Sequence, residues 1–194
     1  MLFGNQGDLF KNAMTWWDHD TGSVWSQPLG RAILGPRKGA ELEVVPSTLT
    51  EWSSWRRAHP DTLALDADAG EAGFDLSDML IAVQLSGETK GYPVPLIREE
   101  GVINDEVAGE PVALVISPDD PQQWAVFSRR LDDRVVTLEL RGGLLVGRDG
   151  SGRWHPATGL VAGDPSDPRI LLELPAFTSF PSDFRNHFPD SQIY

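Results

Sequence analysis

One sequence segment occurs twice in this chain, in similar form. "DHDTGSVWSQPLGRAILGP" at residues 18–36 returns as "RDGSGRWHPATGLVAGDP" at residues 148–165. A shift of 129 positions places Trp25 on Trp154, and the same shift holds without a gap as far as Asp61 and Asp190. Constant register over more than forty residues indicates two copies of one supersecondary unit, each of which needs a neighbour to cover its apolar face.

Each copy alternates short apolar runs with turn residues. "MTWWDHDTGSVWSQ" and "GLLVGRDGSGRWHP" each predict a β-hairpin. The segments that follow, "LGRAILGP" with "AELEVVP" and "TGLVAGDP" with "RILLELP", predict two further strands, each ended by a proline. "STLTEWSSWRRAHPD" and "AFTSFPSDFRNHFPD" then predict one short amphipathic helix per copy, which we expect to fold back over its own meander.

The stretch between the copies has no counterpart earlier in the chain. It predicts three hairpins, with turns at Ser86-Gly87, Ala108-Gly109 and Asp132-Asp133. Residues 66–78, "DADAGEAGFDLSD", are acidic and aperiodic, which is typical of a linker or surface loop. We therefore divide the chain into residues 1–65, the C-terminal half of a first repeat unit, residues 66–78, the linker, and residues 79–194, a complete second unit.

The composition agrees with a strand-rich protein. The chain has 19 glycines and 15 prolines, which favour short strands and many turns over long helices, and its 40% apolar content suffices for a core. The fold class we predict is mainly β with short helices, built from internally duplicated antiparallel meander units that are each closed by a short amphipathic helix.

The charge and the residue types exclude several classes of function. With 29 acidic against 16 basic residues the net charge is -13, which disfavours nucleic acid and anionic lipid as partners. The absence of cysteine excludes disulfides and thiolate chemistry, and we expect no cofactor. We find no transmembrane run and no export signal, so we expect a soluble protein, cytoplasmic as the chain stands and extracytoplasmic if an N-terminal segment is missing.

Four stretches together carry a family resemblance: "GETKGYPVPLIREEGVINDEVAGEPVALVI", "AVFSRR", "DTGSVWSQPLGRAILGP" and "TEWSSWRRAHPDT". With them the chain resembles the bacterial and archaeal domain-of-unknown-function family 3179. The resemblance implies tandem units, each running from a Tyr-Pro element through Val-Asn-Asp and a Trp-Ser-Gln hairpin to a Trp-x-x-Trp helix and His-Pro-Asp. It implies no established activity.

The chain departs from that family pattern in two places. Members often carry a Cys-Pro-x-Cys-like stretch after the strand "PVALVI", whereas this chain has Ser117-Pro118-Asp119-Asp120 there, so a thiol or metal role is missing from this unit. A first unit would also begin upstream of residue 1, which suggests a truncated, misplaced or degenerate start.

The aromatic residues are the first candidates for a binding site. Trp25 and Trp154 occupy equivalent positions in the two copies. They could stack on a sugar ring or another flat ligand, but a Trp that is repeated in this way is more often a core residue, and we favour the core. Trp16 and Trp17 are adjacent, so on a strand they face opposite sides and at least one of them is expected to be exposed. That exposed Trp is the better binding candidate.

Two polar groups are further candidates. Asp18, His19 and Asp20 resemble a metal cluster, but only the aspartate at 20 is repeated, at 149, and an Asp beside Gly and Ser is the usual turn former. Asn104 and Asp105 interrupt an apolar strand, so they either satisfy buried backbone groups, which we favour, or face a ligand.

The leading functional hypothesis is a noncatalytic β module that binds a small ligand, a glycan or a partner protein. It rests on the seven tryptophans and on the missing nucleophile motifs. Two alternatives stay open. One is a remnant or fragment of a hydrolytic, redox or metal-dependent enzyme whose active half lies upstream, and the other is a structural or assembly protein.

Overall fold

The computed structural model describes residues 1–47, 49–64, 75–163 and 167–194, without the side chains of Ser54 and Ala58. The protein is mainly β, as predicted. The strands are β1 (Phe3–Phe10), β2 (Ala13–Asp18), β3 (Val24–Ser26), β4 (Arg31–Leu34), β5 (Leu80–Leu85), β6 (Glu88–Pro93), β7 (Val102–Val107), β8 (Glu110–Ile116), β9 (Trp124–Ser128), β10 (Arg130–Leu131), β11 (Arg134–Val135), β12 (Leu138–Arg141), β13 (Leu144–Gly147), β14 (Arg153–Trp154), β15 (Ala176–Ser179) and β16 (Gln192–Ile193). The helices are α1 (Trp52–Ala58), α2 (Val94–Glu100) and α3 (Pro181–His187), with a 3-10 turn at Leu76–Asp78.

The first four strands form an antiparallel meander in the order β1-β2-β3-β4, which we call the N-terminal sheet. The remaining strands form an outer sheet (β15-β5-β6-β16), a middle sheet (β7-β8-β9), a C-terminal meander (β12-β13-β14) and the small β10-β11 hairpin. The three hairpins predicted between the copies are confirmed, since β5 pairs with β6, β7 with β8 and β10 with β11 across the expected turns.

The middle sheet is buried on both faces because its apolar residues do not alternate with polar ones. Leu114 and Val126 face the outer sheet and helix α2 in one core cluster, whereas Val115 and Phe127 face the C-terminal meander in another. Strands that read as continuous apolar runs are expected at such a position. The outer sheet, the middle sheet and the C-terminal meander therefore stack as three layers.

Helix α3 does not fold over its own meander, contrary to our expectation. Phe184 of α3 packs instead against Leu80 and Ala82, on the outer sheet. The cause is strand β15, which leaves the meander and pairs with β5, and this pairing carries the chain to the far side of the stack before the helix begins.

The echoed sequence produces echoed backbone contacts. At a shift of 129 positions the pair Trp16 with Trp25 becomes Leu145 with Trp154, the pair Trp25 with Ala32 becomes Trp154 with Val161, and the limits of α1 become those of α3. The correspondence ends before β2, because β1 turns into β2 at Phe10 and Ala13, whereas β12 turns into β13 at Arg141 and Leu144. The division of the chain at residues 65 and 79 stays a prediction; residues 66–74 of the expected linker lie outside the described residues, and residues 76–78 at its end form the 3-10 turn.

Two groups of contacts join the N-terminal part to the stack. The Lys11 ammonium donates to the Asn186 carbonyl at 2.7 Å, and Phe10 packs edge-on against His187.

The second group lies at residues 117–120, where the resemblance implies a Cys-Pro-x-Cys-like stretch. The buried Asp120 carboxylate accepts hydrogen bonds from the Thr50 hydroxyl at 2.8 Å and the Glu51 amide at 2.9 Å. Asp120 is therefore a structural tie in this chain.

No helix among the described residues is both long and apolar enough to cross a membrane.

Candidate functional site

The two repeated tryptophans lie in the core. Trp25 is 1% exposed and Trp154 is fully buried. Each indole N–H has a partner, since Trp25 donates to the Asp18 carboxylate at 2.9 Å and Trp154 donates to the Arg169 carbonyl at 2.7 Å. As the chain stands, neither ring presents a face to a ligand.

Asp18 closes the turn between β2 and β3. Its buried carboxylate accepts hydrogen bonds from the Thr21 amide at 2.6 Å, the Thr21 hydroxyl and the Trp25 indole. Burial alone would raise the pKa of Asp18, but the hydrogen bonds from Trp25 and Thr21 outweigh it and hold that pKa at about 2. His19 and Asp20 are exposed on the same loop, and within the described ranges we find no group of three metal-binding side chains.

We expect the stability that Asp18 supplies to depend on pH. Because its pKa falls from 3.8 to about 2 on folding, ionised Asp18 stabilises the protein above pH 4, and this contribution is lost as the pH falls through 2. Asp18→Asn should therefore be less stable than the parent at pH 6, with a gap that closes between pH 4 and 2 in urea titrations. Asp20→Asn is the matched control, and a gap that does not change with pH would contradict the assignment.

Trp16 and Trp17 are both half-buried and face opposite sides of the N-terminal sheet. Trp16 lies opposite Trp25 and contacts Phe3, with 6.0 Å between the ring centroids. Trp17 stacks on His19, with 4.1 Å between the centroids. Because both rings are partly exposed, Trp16 and Trp17 both stay candidates for the predicted aromatic site.

Asn104 satisfies buried backbone, which is the alternative that we favoured. Its amide nitrogen donates to the Leu138 carbonyl and its amide oxygen accepts from the Leu138 N–H, both at 2.8 Å. The side-chain amide thus pairs with Leu138 as the backbone of a neighbouring strand would, and it connects β12 to β7.

Asp105 joins two elements of the family pattern. Its carboxylate accepts from the Lys90 ammonium at 2.5 Å and from the Tyr92 hydroxyl at 2.9 Å. The ammonium lies 5.6 Å from the ring centroids of both Tyr92 and Tyr194. Burial alone would raise the pKa of Asp105, but the bonds from Lys90, Tyr92 and the Glu106 amide lower it, while burial and the neighbouring Asp105 raise the pKa of Tyr92.

A polar cleft of about 360 Å³ lies beside this cluster, lined by residues 87–90, 106–107 and 190–192. Among the described residues that line it, Lys90 is the one cation and is already paired with Asp105, and the other charged side chains are Glu88, Glu106 and Asp190. The described lining therefore offers an anion no free positive charge.

A larger cleft of about 480 Å³ lies between the N-terminal sheet and the outer sheet. Its larger apolar side chains come from both sides and are Met14, Pro28, Leu29, Val44, Met79, Phe177 and Phe180. Its polar lining consists of Asn12, Gln27, Gln84, Thr178, Ser179 and Asp183. We call it the inter-sheet cleft.

Local structure explains how the inter-sheet cleft forms. After β3 the chain turns through Gly30, at φ 56°, and the Leu42 N–H donates to the Gly30 carbonyl at 2.7 Å, so that Leu29 and Val44 share one wall. Strand β15 supplies the opposite wall. Sequence reasoning missed this cleft because its N-terminal wall and β15 are more than a hundred residues apart along the chain. The only signal was that Gly30 is repeated as Gly159.

Comparison with known proteins identifies a family but no similar curated protein or solved structure. No curated protein and no solved structure matches the chain. The sequence pattern of one family, described as "Protein of unknown function (DUF3179)", matches residues 1–74 and again residues 69–194. Two consecutive matches agree with the repeat and with the resemblance seen in the sequence. The chain therefore belongs to the DUF3179 family of proteins of unknown function.

Proposed function

We propose that this protein is a noncatalytic binding module and that the inter-sheet cleft holds a small amphipathic molecule. The observation that carries the proposal is a cleft of about 480 Å³ with apolar walls and a few polar groups. Ligand sites are typically concave, between about 300 and 1,000 Å³, largely apolar and placed between structural units.

The walls favour a ligand with an apolar body. Phe180 is 51% exposed, and Met14 is 38% exposed, although both are large apolar side chains. Apolar surface left in water costs about 25 cal/mol per Å², so a ligand that covers these side chains recovers that free energy.

The polar groups favour orientation of a ligand over its chemical conversion. Amides from Asn12, Gln27 and Gln84 can each donate and accept hydrogen bonds. The described lining residues include the hydroxyls of Thr178 and Ser179 but no histidine, the side chain that most often acts as general base to such a nucleophile.

The charge of the cleft selects against anions. Asp183 is its one ionisable lining residue among those described, and the whole chain carries a net charge of -13. Both fields repel an anionic ligand. The ligand is therefore neutral or cationic.

Filling the cleft tests the proposal. Val44 lines the cleft in a stretch without regular structure, and its neighbour Val45 is 71% exposed and is not part of the lining. Val44→Trp should fill the space, while Val45→Trp adds the same side chain outside it. We expect fragments from a neutral and cationic library to bind the parent and Val45→Trp, and to bind Val44→Trp at least tenfold more weakly, in saturation-transfer NMR.

Two results would overturn the proposal. One is a library in which no fragment binds the parent protein. The other is a set of fragments that bind Val44→Trp as well as they bind Val45→Trp, because binding would then lie elsewhere. Circular dichroism of both variants checks that each is folded.

A further inference from the structure

The C-terminal copy of the repeat shows what occupies the space beside Gly159. There a Cβ atom would lie 2.8 Å from Cε1 of Phe127 and 2.6 Å from the Leu171 carbonyl oxygen. The edge of the Phe127 ring therefore packs directly on the glycine backbone. Glycine permits this contact because it has no side chain in the way.

Gly30 has a similar backbone, but among the described residues no ring lies within 4 Å of the place where its Cβ would be. Both glycines have positive φ, 56° and 67°, and both accept a hydrogen bond from the equivalent leucine, Leu42 at 2.7 Å and Leu171 at 3.0 Å. Within 4 Å, the described atoms that a Cβ on Gly30 would meet both belong to Leu42, at 3.8 and 3.9 Å. The position of the ring is therefore open in the first copy, and Gly30 lines the inter-sheet cleft.

Two aromatic side chains line the same cleft as Gly30. Phe177 and Phe180 line the opposite side of the same cleft, and Phe180 is half exposed. Aromatic rings attract one another in edge-on and offset arrangements, worth about 0.5–1.5 kcal/mol beyond the area they bury. An aromatic ligand would gain ring–ring interactions with these side chains that a saturated ligand would not.

We propose that the ligand of the inter-sheet cleft carries an aromatic ring, which packs on Gly30 in the way that Phe127 packs on Gly159. This inference rests on the proposed binding function and names the chemical class of the ligand. Because Asp183 is the charged group of the lining, the same ligand carries no negative charge, and an amine on it faces a carboxylate.

Three small probes separate ring type from charge. 2-Phenylethylamine is an aromatic cation, 2-cyclohexylethylamine is its saturated counterpart, and phenylacetate is the aromatic anion. We expect the dissociation constant of 2-phenylethylamine, measured by NMR titration of the full chain, to be at least fivefold lower than that of 2-cyclohexylethylamine. Phenylacetate should bind most weakly of the three.

A pair of glycine variants locates the ring. Gly30→Ala places a methyl group in the open position, while Gly22→Ala introduces alanine at a similar φ, 68°, with nothing within 4 Å. The two substitutions cost similar backbone strain. We expect 2-phenylethylamine to lose at least fivefold in affinity for Gly30→Ala and to bind Gly22→Ala as it binds the parent.

The outcomes distinguish the inference from the proposed function. If 2-cyclohexylethylamine binds as tightly as 2-phenylethylamine and Val44→Trp weakens both, the cleft binds ligands but the aromatic assignment is wrong. If Gly30→Ala leaves 2-phenylethylamine unaffected, the ring does not lie on Gly30 and the inference falls. If none of the probes or library fragments binds the parent, both proposals fail together.

Discussion

Replacing Gly159 with alanine is expected to lower the free energy of unfolding by about 3 kcal/mol or more, whereas Gly30→Ala is expected to cost about 1 kcal/mol. Both positions have positive φ, so both variants share the cost of a left-handed alanine. Only at Gly159 would the new methyl carbon also lie 2.6 Å from a backbone oxygen and 2.8 Å from the Phe127 ring.

Urea unfolding followed by circular dichroism measures this difference. The paired design uses two glycines with the same local backbone, so a difference between them reports the neighbourhood and not the turn. Equal losses at Gly30 and Gly159 would mean that the first copy is filled as tightly as the second, and the open position in the cleft would then be refuted.

Trp154→Ala is expected to cost about 3–5 kcal/mol, which is enough to unfold a marginally stable domain. The indole is fully buried between the C-terminal meander and the middle sheet, and its removal also leaves the Arg169 carbonyl without its donor. Trp25→Ala should cost a similar amount, because that ring is 1% exposed and its N–H bonds to Asp18.

Trp52→Ala is the matched control, since Trp52 is 47% exposed on α1 and its loss should change stability by no more than about 0.5 kcal/mol. Thermal and urea unfolding of the three variants would rank them. A loss below about 1 kcal/mol at Trp154 or Trp25 would show that the repeated tryptophans are not core residues.

Local sequence signals predicted the hairpins correctly. Ser86-Gly87 and Ala108-Gly109 are two-residue turns with positive φ throughout, and such turns depend on the residues in the turn itself. The burial of Trp25 and Trp154 was also predictable, because a large apolar residue repeated in register is needed by every copy of a packed unit.

Side-chain partners that are distant along the chain were not predictable. Asp18 looked like a weak metal ligand beside a turn, and only the packed structure shows that its carboxylate holds the Trp25 indole. Asn104 was recognised as unusual, but its partner, Leu138, is identified only when β7 and β12 lie side by side. The pairing of side chains that are distant along the chain depends on how the sheets stack. The sequence pattern of one strand does not identify the strand that will lie beside it.

The same reason explains the candidate binding site. The inter-sheet cleft is lined by residues 12–14, 27–30 and 44 on one side and by residues 79, 84, 177–180 and 183 on the other, and no sequence motif links these segments. Of the four aromatic candidates from the sequence, Trp16, Trp17 and Trp25 lie in the same N-terminal sheet, but the cleft opens beside Met14 and Gly30. Its location depends on where β15 carries the chain.

The sequence alone determined that this protein is mainly β, that it is acidic, that it has an internal repeat and that it belongs to a family. It could do so because strand alternation, turn chemistry and self-similarity are local properties of the residues. The tertiary structure decided which faces of the two copies are covered. The C-terminal copy has Phe127 over its glycine and the N-terminal copy has open space, because among the described residues the C-terminal copy shares a core cluster with the middle sheet and the N-terminal copy does not. Similar local backbones thus become a core in one place and a cleft in the other.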